Sequence, residues 1–210
     1  MSSTLLSTSQ YAVEIMATLA FAASGLIEAA RKRMDAVGIG VVASVAAFGG
    51  GTLRDLLLDR RPLFWVDNVE LLWLVLGLTL LAIVFLRSRH LEITERAMLW
   101  PDAIGLGLFC AVGTQIALEL EMPLLVAAVM GVITAIFGGV LRDMVCNEIP
   151  RVLSDHRPYA ICAFIGAWVL IAADRAGFED WASLLLAAVV ASSLRLIAVK
   201  LDWELPRWRD

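Results

Sequence analysis

Seven apolar runs, at about 10–30, 36–58, 69–87, 99–118, 123–146, 158–174 and 181–200, alternate with short charged or proline-bearing connections. Each run approaches the roughly 20 residues that carry a helix across a hydrocarbon core about 30 Å thick. The pattern predicts an all-α integral membrane protein of seven transmembrane helices, forming a single membrane domain over 1–210. The connections "RKRMD", "DRRPLFWVDN", "RSRHLEITER", "ELEMP", "NEIPRVLSDHRP" and "DRAGFEDW" leave no room for a soluble domain, and none is expected at either end. The opening "MSSTLLSTSQ" lacks the positive n-region of a cleaved signal peptide, so the first run is expected to remain as a helix.

A shift of 88 residues carries Gly50-Gly51 onto Gly138-Gly139, Leu53-Arg54-Asp55 onto Leu141-Arg142-Asp143, and Pro62 onto Pro150. The same register carries Phe21 onto Phe109, Glu14 onto Asp102, and Asp67 onto Asp155. One repeat thus spans about 10–87, the other about 98–174, with a seventh helix at about 181–200. Three helices per copy is an odd number, so the second copy enters the membrane from the opposite side. Inverted repeats of this kind place substrate or ion sites at the midplane, on helices broken by glycine or proline in matching positions.

Composition agrees with the pattern: 60% of the 210 residues are hydrophobic and 18% charged, too little polar surface to cover a soluble globule. The net charge is -4 and the basic residues sit in short clusters, which excludes a nucleic-acid partner. Their distribution predicts orientation, because cytoplasmic loops carry the Lys/Arg excess. Arg60, Arg61 and Arg175 fall on one side. Arg31, Lys32, Arg33, Arg87, Arg89, Arg96, Arg151, Arg157, Lys200, Arg207 and Arg209 fall on the other. The expectation is an N-terminus outside and a cytoplasmic C-terminus, in the cell (inner) membrane. Trp65, Trp73, Trp100, Trp181, Trp203 and Trp208 lie at or near span ends, as interface anchors. Cys110, Cys146 and Cys162 read as small buried hydrophobes.

Gly49, Gly50 and Gly51 fall midway along the second run, and Gly138 and Gly139 in the matching part of the fifth. Each glycine costs up to about 1 kcal/mol relative to alanine in a helix, so both helices are expected to kink or unwind there. The freed carbonyls, around Ala46 to Phe48 and Ala135 to Phe137, would turn negative dipole ends toward a shared cavity and suit a cation. Thr52-Leu53-Arg54-Asp55 fits the capping pattern of a fresh helix start. Arg54 and Arg142 follow the last glycine of each run by three residues, and each needs a partner from another helix. The repeat suggests Glu14 for the outer half and Asp102 for the inner, with Asp55 and Asp143 nearby but not facing the adjacent arginine. Ser24, Thr52, Thr114, Ser192, Ser193 and Arg195 are the remaining polar candidates for lining a path, although single hydroxyls in membrane helices mostly bond their own backbone or a neighbouring helix. Gln115 shares that status. Glu28 reads as an interface residue, and His90 and His156 make no metal site. No nucleophile, base and orienting group come together in the pattern, so no enzyme is expected.

The doubled "GG(G/V)xLRD" element, in two inverted three-helix units plus a seventh helix, resembles the prokaryotic members of the trimeric intracellular cation (TRIC) channel family over about residues 10–200. The resemblance implies a homotrimer with an ion path through each protomer. It also implies potassium-favouring conduction of monovalent cations, an N-out topology, and kinks at Gly49, Gly50, Gly51, Gly138 and Gly139 beside Arg54, Asp55, Arg142 and Asp143. No cofactor is expected beyond the transported K+ or Na+ and a bound lipid as a further candidate; the partners are the bilayer, the cations and the chain itself. Similar prokaryotic sequences carry the label glycine transporter, which keeps a second reading open: an alternating-access carrier in which Arg54 or Arg142 holds a zwitterion's carboxylate. A purely structural or assembly role is the third.

Overall fold

The computed structural model describes residues 8–86 and 95–206, and every regular element among them is a helix. Seven long helices follow the seven apolar runs: α1 (Thr8–Arg31), α2 (Ala36–Leu57), α4 (Val69–Leu86), α5 (Glu95–Glu119), α6 (Leu124–Val145), α8 (Ala160–Arg175) and α9 (Asp180–Lys200). Two one-turn helices, α3 (Phe64–Asp67) and α7 (Arg151–Ser154), lie in connections expected to be plain loops. Helices α1, α2, α5, α6 and α9 are long and apolar enough to cross a membrane, while the apolar stretch Val69–Val84 of α4 is shorter. The 16 residues of α8 rise about 24 Å. The expectations for Arg87, Arg89, His90, Arg207, Trp208 and Arg209 lie outside the described residues.

The repeat extends to how the helices end. Arg33 and Glu121, after α1 and α5, both have φ 56°, and Asp59 and Asn147, after α2 and α6, have φ 51° and 57°. In each case the chain turns through the left-handed region and the next N–H closes the last helical turn: Arg60 N donates to Asp55 O at 2.8 Å, and Glu148 N to Asp143 O at 2.9 Å.

Adjacent long helices pack antiparallel. A Cβ on Gly25 of α1 would lie 2.9 Å from the Ala43 Cα of α2; one on Gly113 of α5 would lie 3.2 Å from the Gly131 Cα of α6, the same place in the second copy. Between copies the contacts are reciprocal. Phe21 stacks on its repeat mate Phe109, ring centroids 5.6 Å apart. Gly50 of α2 backs onto Thr134 O of α6, and Gly138 of α6 backs onto Ala46 O of α2. Such reciprocity is what a twofold axis between two copies produces. Helix α5 is the hub, packed against α1, α6, α8 and α9.

Trp73, Trp100, Trp181 and Trp203 are exposed, whereas Trp65 departs from its expected place as an anchor. Its indole packs against Phe48, with centroids 5.9 Å apart, and donates to Thr52 Oγ1 at 3.0 Å. The one-turn α3 folds back under α2 and carries Trp65 inward with Phe64.

Candidate functional site

The glycines do not break their helices. Helix α2 runs without interruption through Gly49, Gly50 and Gly51, and α6 through Gly138 and Gly139. The expected unwinding, the carbonyl ends facing a cavity and the fresh start at Thr52 are therefore corrected. The physical reason is packing. A Cβ at Gly50 would run into Thr134 O, and one at Gly138 into Ala46 O. Bare Cα atoms let the two backbones approach, and the close contact offsets glycine's helix penalty of about 1 kcal/mol. Gly51 makes room for the Phe64 ring, Gly49 for the Leu141 side chain, and Gly139 lies beneath the Tyr159 hydroxyl. The cavity next to Gly49 is an apolar groove of about 560 Å³, lined by Phe48, Thr52, Leu53, Trp65 and Leu141.

The charged residues converge in two buried clusters, one per repeat. On the side of the bundle where α1 begins, Arg54 Nη1 donates to Glu14 Oε1 at 2.8 Å and Nε to Asp55 Oδ1 at 2.8 Å. The guanidinium stands 5.3 Å from the Phe64 ring centre. Asp55 Oδ2 accepts the Phe64 backbone N–H at 2.8 Å, and Oδ1 also receives the half-buried Arg60 at 3.2 Å. On the other side, Arg142 Nη1 donates to Asp102 Oδ1 at 2.6 Å and Ser24 Oγ at 2.7 Å, and Nε to Asp143 Oδ1 at 2.9 Å. Asp143 Oδ2 accepts the Arg151 N–H at 2.9 Å, and Asp102 Oδ2 accepts the Tyr159 hydroxyl at 2.9 Å.

Both arginines thus find the cross-helix carboxylates the repeat suggests, Glu14 and Asp102. The expectation that Asp55 and Asp143 do not face them is corrected. Adjacent Cβ atoms diverge, but the long arginine stem lets Nε turn back onto the following carboxylate. Each aspartate lies near a helix C-terminus, where the dipole opposes it. Its second oxygen compensates by taking the first N–H of the next one-turn helix. Arg54, Glu14, Asp55, Arg142, Asp102 and Asp143 are all at most 3% exposed.

The minor candidates separate. Ser24 joins the Arg142 cluster from the other repeat and also donates to Phe21 O at 3.2 Å. Thr114 bonds its own helix at Cys110 O, 2.8 Å away. Ser192 packs on Gly107. Ser193 is exposed on the outside of α9, away from the protomer interior, against the expectation that it lines a path. Arg195 is buried, held by Asp155 Oδ2 at 2.8 Å and Pro158 O at 3.1 Å, over the Tyr159 ring at 4.7 Å. It ties α9 to the connection between α7 and α8. Glu28, read as an interface residue, is 1% exposed and pairs with Arg31 at 2.7 Å and Arg151 at 3.5 Å. Tyr159 was missed because its repeat mate is Leu71, so the register draws no attention to it. The three cysteines are free and buried.

At the end opposite the start of α1, Glu148 follows α6 and meets Lys32 and Arg31 from the end of α1. The Lys32 hydrogen bond, supported by the charges of Lys32, Arg31 and Arg151 against partial burial, holds the Glu148 carboxyl below its usual range.

An inverted pair of three-helix units, each burying an arginine between carboxylates, defines a multi-pass membrane protein of the inverted-repeat class. The sequence profile of the family described as "Glycine transporter" matches residues 11–87 and again 99–175, and the chain belongs to that family. It is 36% identical over 200 residues to a UPF0126 membrane protein of Vibrio cholerae, covering 93% of this chain and 81% of the relative. It is 36% identical over 199 residues to the UPF0126 inner membrane protein YadS of Escherichia coli, covering 93% and 94%. The solved structure of a trimeric intracellular cation channel orthologue from Rhodobacter sphaeroides superposes with a TM-score of 0.83 at 32% identity, covering 92% of this chain and 98% of that one. The resemblance to the TRIC family thus holds across the whole fold.

Proposed function

We propose that the protein is a channel for monovalent cations, permeable to potassium, with the ion path inside each protomer of a homotrimer in the cell membrane. The reading places the N-terminus outside and the C-terminus in the cytoplasm. It is supported by the likeness to a solved cation channel orthologue at 32% identity and by the charge balance of the interior. The observation that carries it is the state of Arg142. Its Nε, Nη1 and Nη2 are all engaged, by Asp143, Asp102 and Ser24, which accounts for four of the five guanidinium N–H donors. With two carboxylates around one guanidinium, that cluster carries one negative charge in a low-dielectric interior, which attracts cations and repels anions. Arg54 is likewise held by two carboxylates, with Arg60 approaching from the loop.

The glycines serve the path by fixing the α2–α6 crossing, not by opening either helix. The second reading, a carrier for glycine or another small zwitterion, takes its support from the name of the family profile. It needs an arginine free to take a carboxylate bidentately; Arg142 has all three nitrogens engaged, and Arg54 offers Nη2 alone, its Nε and Nη1 being held by Asp55 and Glu14. The test is reconstitution of the purified protein in planar bilayers and in vesicles. Unitary current steps support the channel; saturable glycine uptake without steps supports the carrier.

A further inference from the structure

The two arginine clusters are repeat mates, yet only one is complete. Around Arg142 and Asp102, two hydroxyls finish the set: Ser24 accepts from Arg142 Nη1 at 2.7 Å, and Tyr159 donates to Asp102 Oδ2 at 2.9 Å. In the repeat register the mates of those two residues are Val112 and Leu71, both fully buried and unable to hydrogen bond. The Arg54 cluster is more open: among the described residues, Arg54 Nη2 and Glu14 Oε2 have no partner.

Three further buried atoms also lack a partner among the described residues, Thr18 Oγ1, Gln115 Oε1 and Ser183 Oγ. Helix registers set them at one depth in the bundle. The antiparallel α1–α5 contact that bonds Gln10 to Glu119 and stacks Phe21 on Phe109 sets Gln115 level with Glu14. The α5–α9 contact that seats Gly107 against Ala188 and Ser192 sets Ser183 level with Gln115. Thr18 lies one turn below Glu14 on the same face of α1. Their sequence neighbours Val13, Ala17, Ile116 and Leu184 share one apolar cluster. Glu14, Thr18, Gln115 and Ser183 are 0%, 0%, 5% and 1% exposed.

Unpartnered polar atoms at this depth are each costly, and four of the five here are oxygens able to accept or to ligate, two of them hydroxyls that can also donate. We propose that Glu14, Thr18, Gln115 and Ser183 form a binding site for a dehydrated monovalent cation, in the half of the protomer where α1 begins. One carboxylate, one amide carbonyl and two hydroxyls make an all-oxygen donor set with a single full charge, which suits a hard monovalent ion. Glu14, Asp55 and Arg54 together carry one negative charge, and Arg60, which touches Asp55 from the loop, is partly exposed to solvent screening. The choice of a cation as occupant rests on the channel reading. The closed Arg142 cluster then acts as a fixed staple, and its open mate as the binding station.

The test is thermal denaturation of the detergent-solubilised full chain in potassium chloride against choline chloride at equal ionic strength. It is combined with rubidium anomalous diffraction from wild-type crystals. The wild-type midpoint is expected to rise with the logarithm of potassium concentration. That rise should vanish in Gln115→Leu and Ser183→Ala. Each variant deletes an orphaned buried atom and should be at least as stable as wild type in choline. A rubidium peak among Glu14, Gln115 and Ser183 supports the site without any variant. Potassium currents with no such peak and no potassium-dependent midpoint overturn the site and leave the channel standing. A peak and a midpoint shift without currents keep the site and overturn the channel.

Discussion

Asp102 Oδ1 holds Arg142 Nη1 at 2.6 Å across the α5–α6 contact, with the two side chains at most 2% exposed. Removing one partner of a buried pair strands the other charge, at a loss of about 3–5 kcal/mol. Asp102→Ala should therefore lower the thermal midpoint sharply. Tyr159→Phe, which removes only the donor to Asp102 Oδ2, should lose about 1–3 kcal/mol. Denaturation monitored by circular dichroism in detergent separates the two. Equal effects from the two substitutions would contradict the assignment of Asp102 as the principal counter-ion.

The glycine positions differ in what they tolerate. At Gly50 and Gly138 an added methyl meets a backbone carbonyl of the facing helix, so Gly50→Ala and Gly138→Ala force α2 and α6 apart. Each should lose more than the roughly 1–3 kcal/mol of ordinary overpacking. Gly77 has nothing within 4 Å of its Cβ position, so Gly77→Ala should be neutral or gain up to about 1 kcal/mol. Gly139→Ala brings a methyl 3.3 Å from the Tyr159 hydroxyl, 3.5 Å from Arg142 Nη2 and 3.7 Å from Asp102 Oδ1, with no backbone in the way, and should fall between these. Monodispersity on size-exclusion chromatography ranks the series. A Gly50→Ala protein as well behaved as Gly77→Ala would contradict the close crossing.

Glu148 links the end of α6 to Lys32 and Arg31 at the end of α1. Its carboxyl is held below the ordinary value of about 4.5. A folded value lower than the unfolded one means that the stabilisation is present above about pH 4.5 and is lost as pH falls through the lowered folded value. The thermal midpoint of wild type should accordingly drop more on acidification than that of Glu148→Gln. Parallel pH profiles would show that the link contributes nothing.

The repeat register made much of the molecule readable. Glu14 and Asp102 could be matched to Arg54 and Arg142 because identical spacing in both copies implies identical helix pairing. The glycines misled, since a helix-interior glycine signals a break or a close approach equally well. Only the position of α6 behind α2 decides between them. Bonds set by side-chain reach were hidden too: Arg54 turning back onto Asp55, and Asp55 capping Phe64 across the intervening turn. Tyr159 and Ser24 break the repeat register, and contacts that break the symmetry are invisible to a reading built on it.

The reversal potential of the reconstituted protein, under opposed potassium and chloride gradients, bears most directly on the proposed cation path. An interior in which each buried arginine is held by two carboxylates should give unitary currents that reverse near the potassium equilibrium potential. Reversal near the chloride value, or gradient-driven glycine uptake with no current steps, would contradict it.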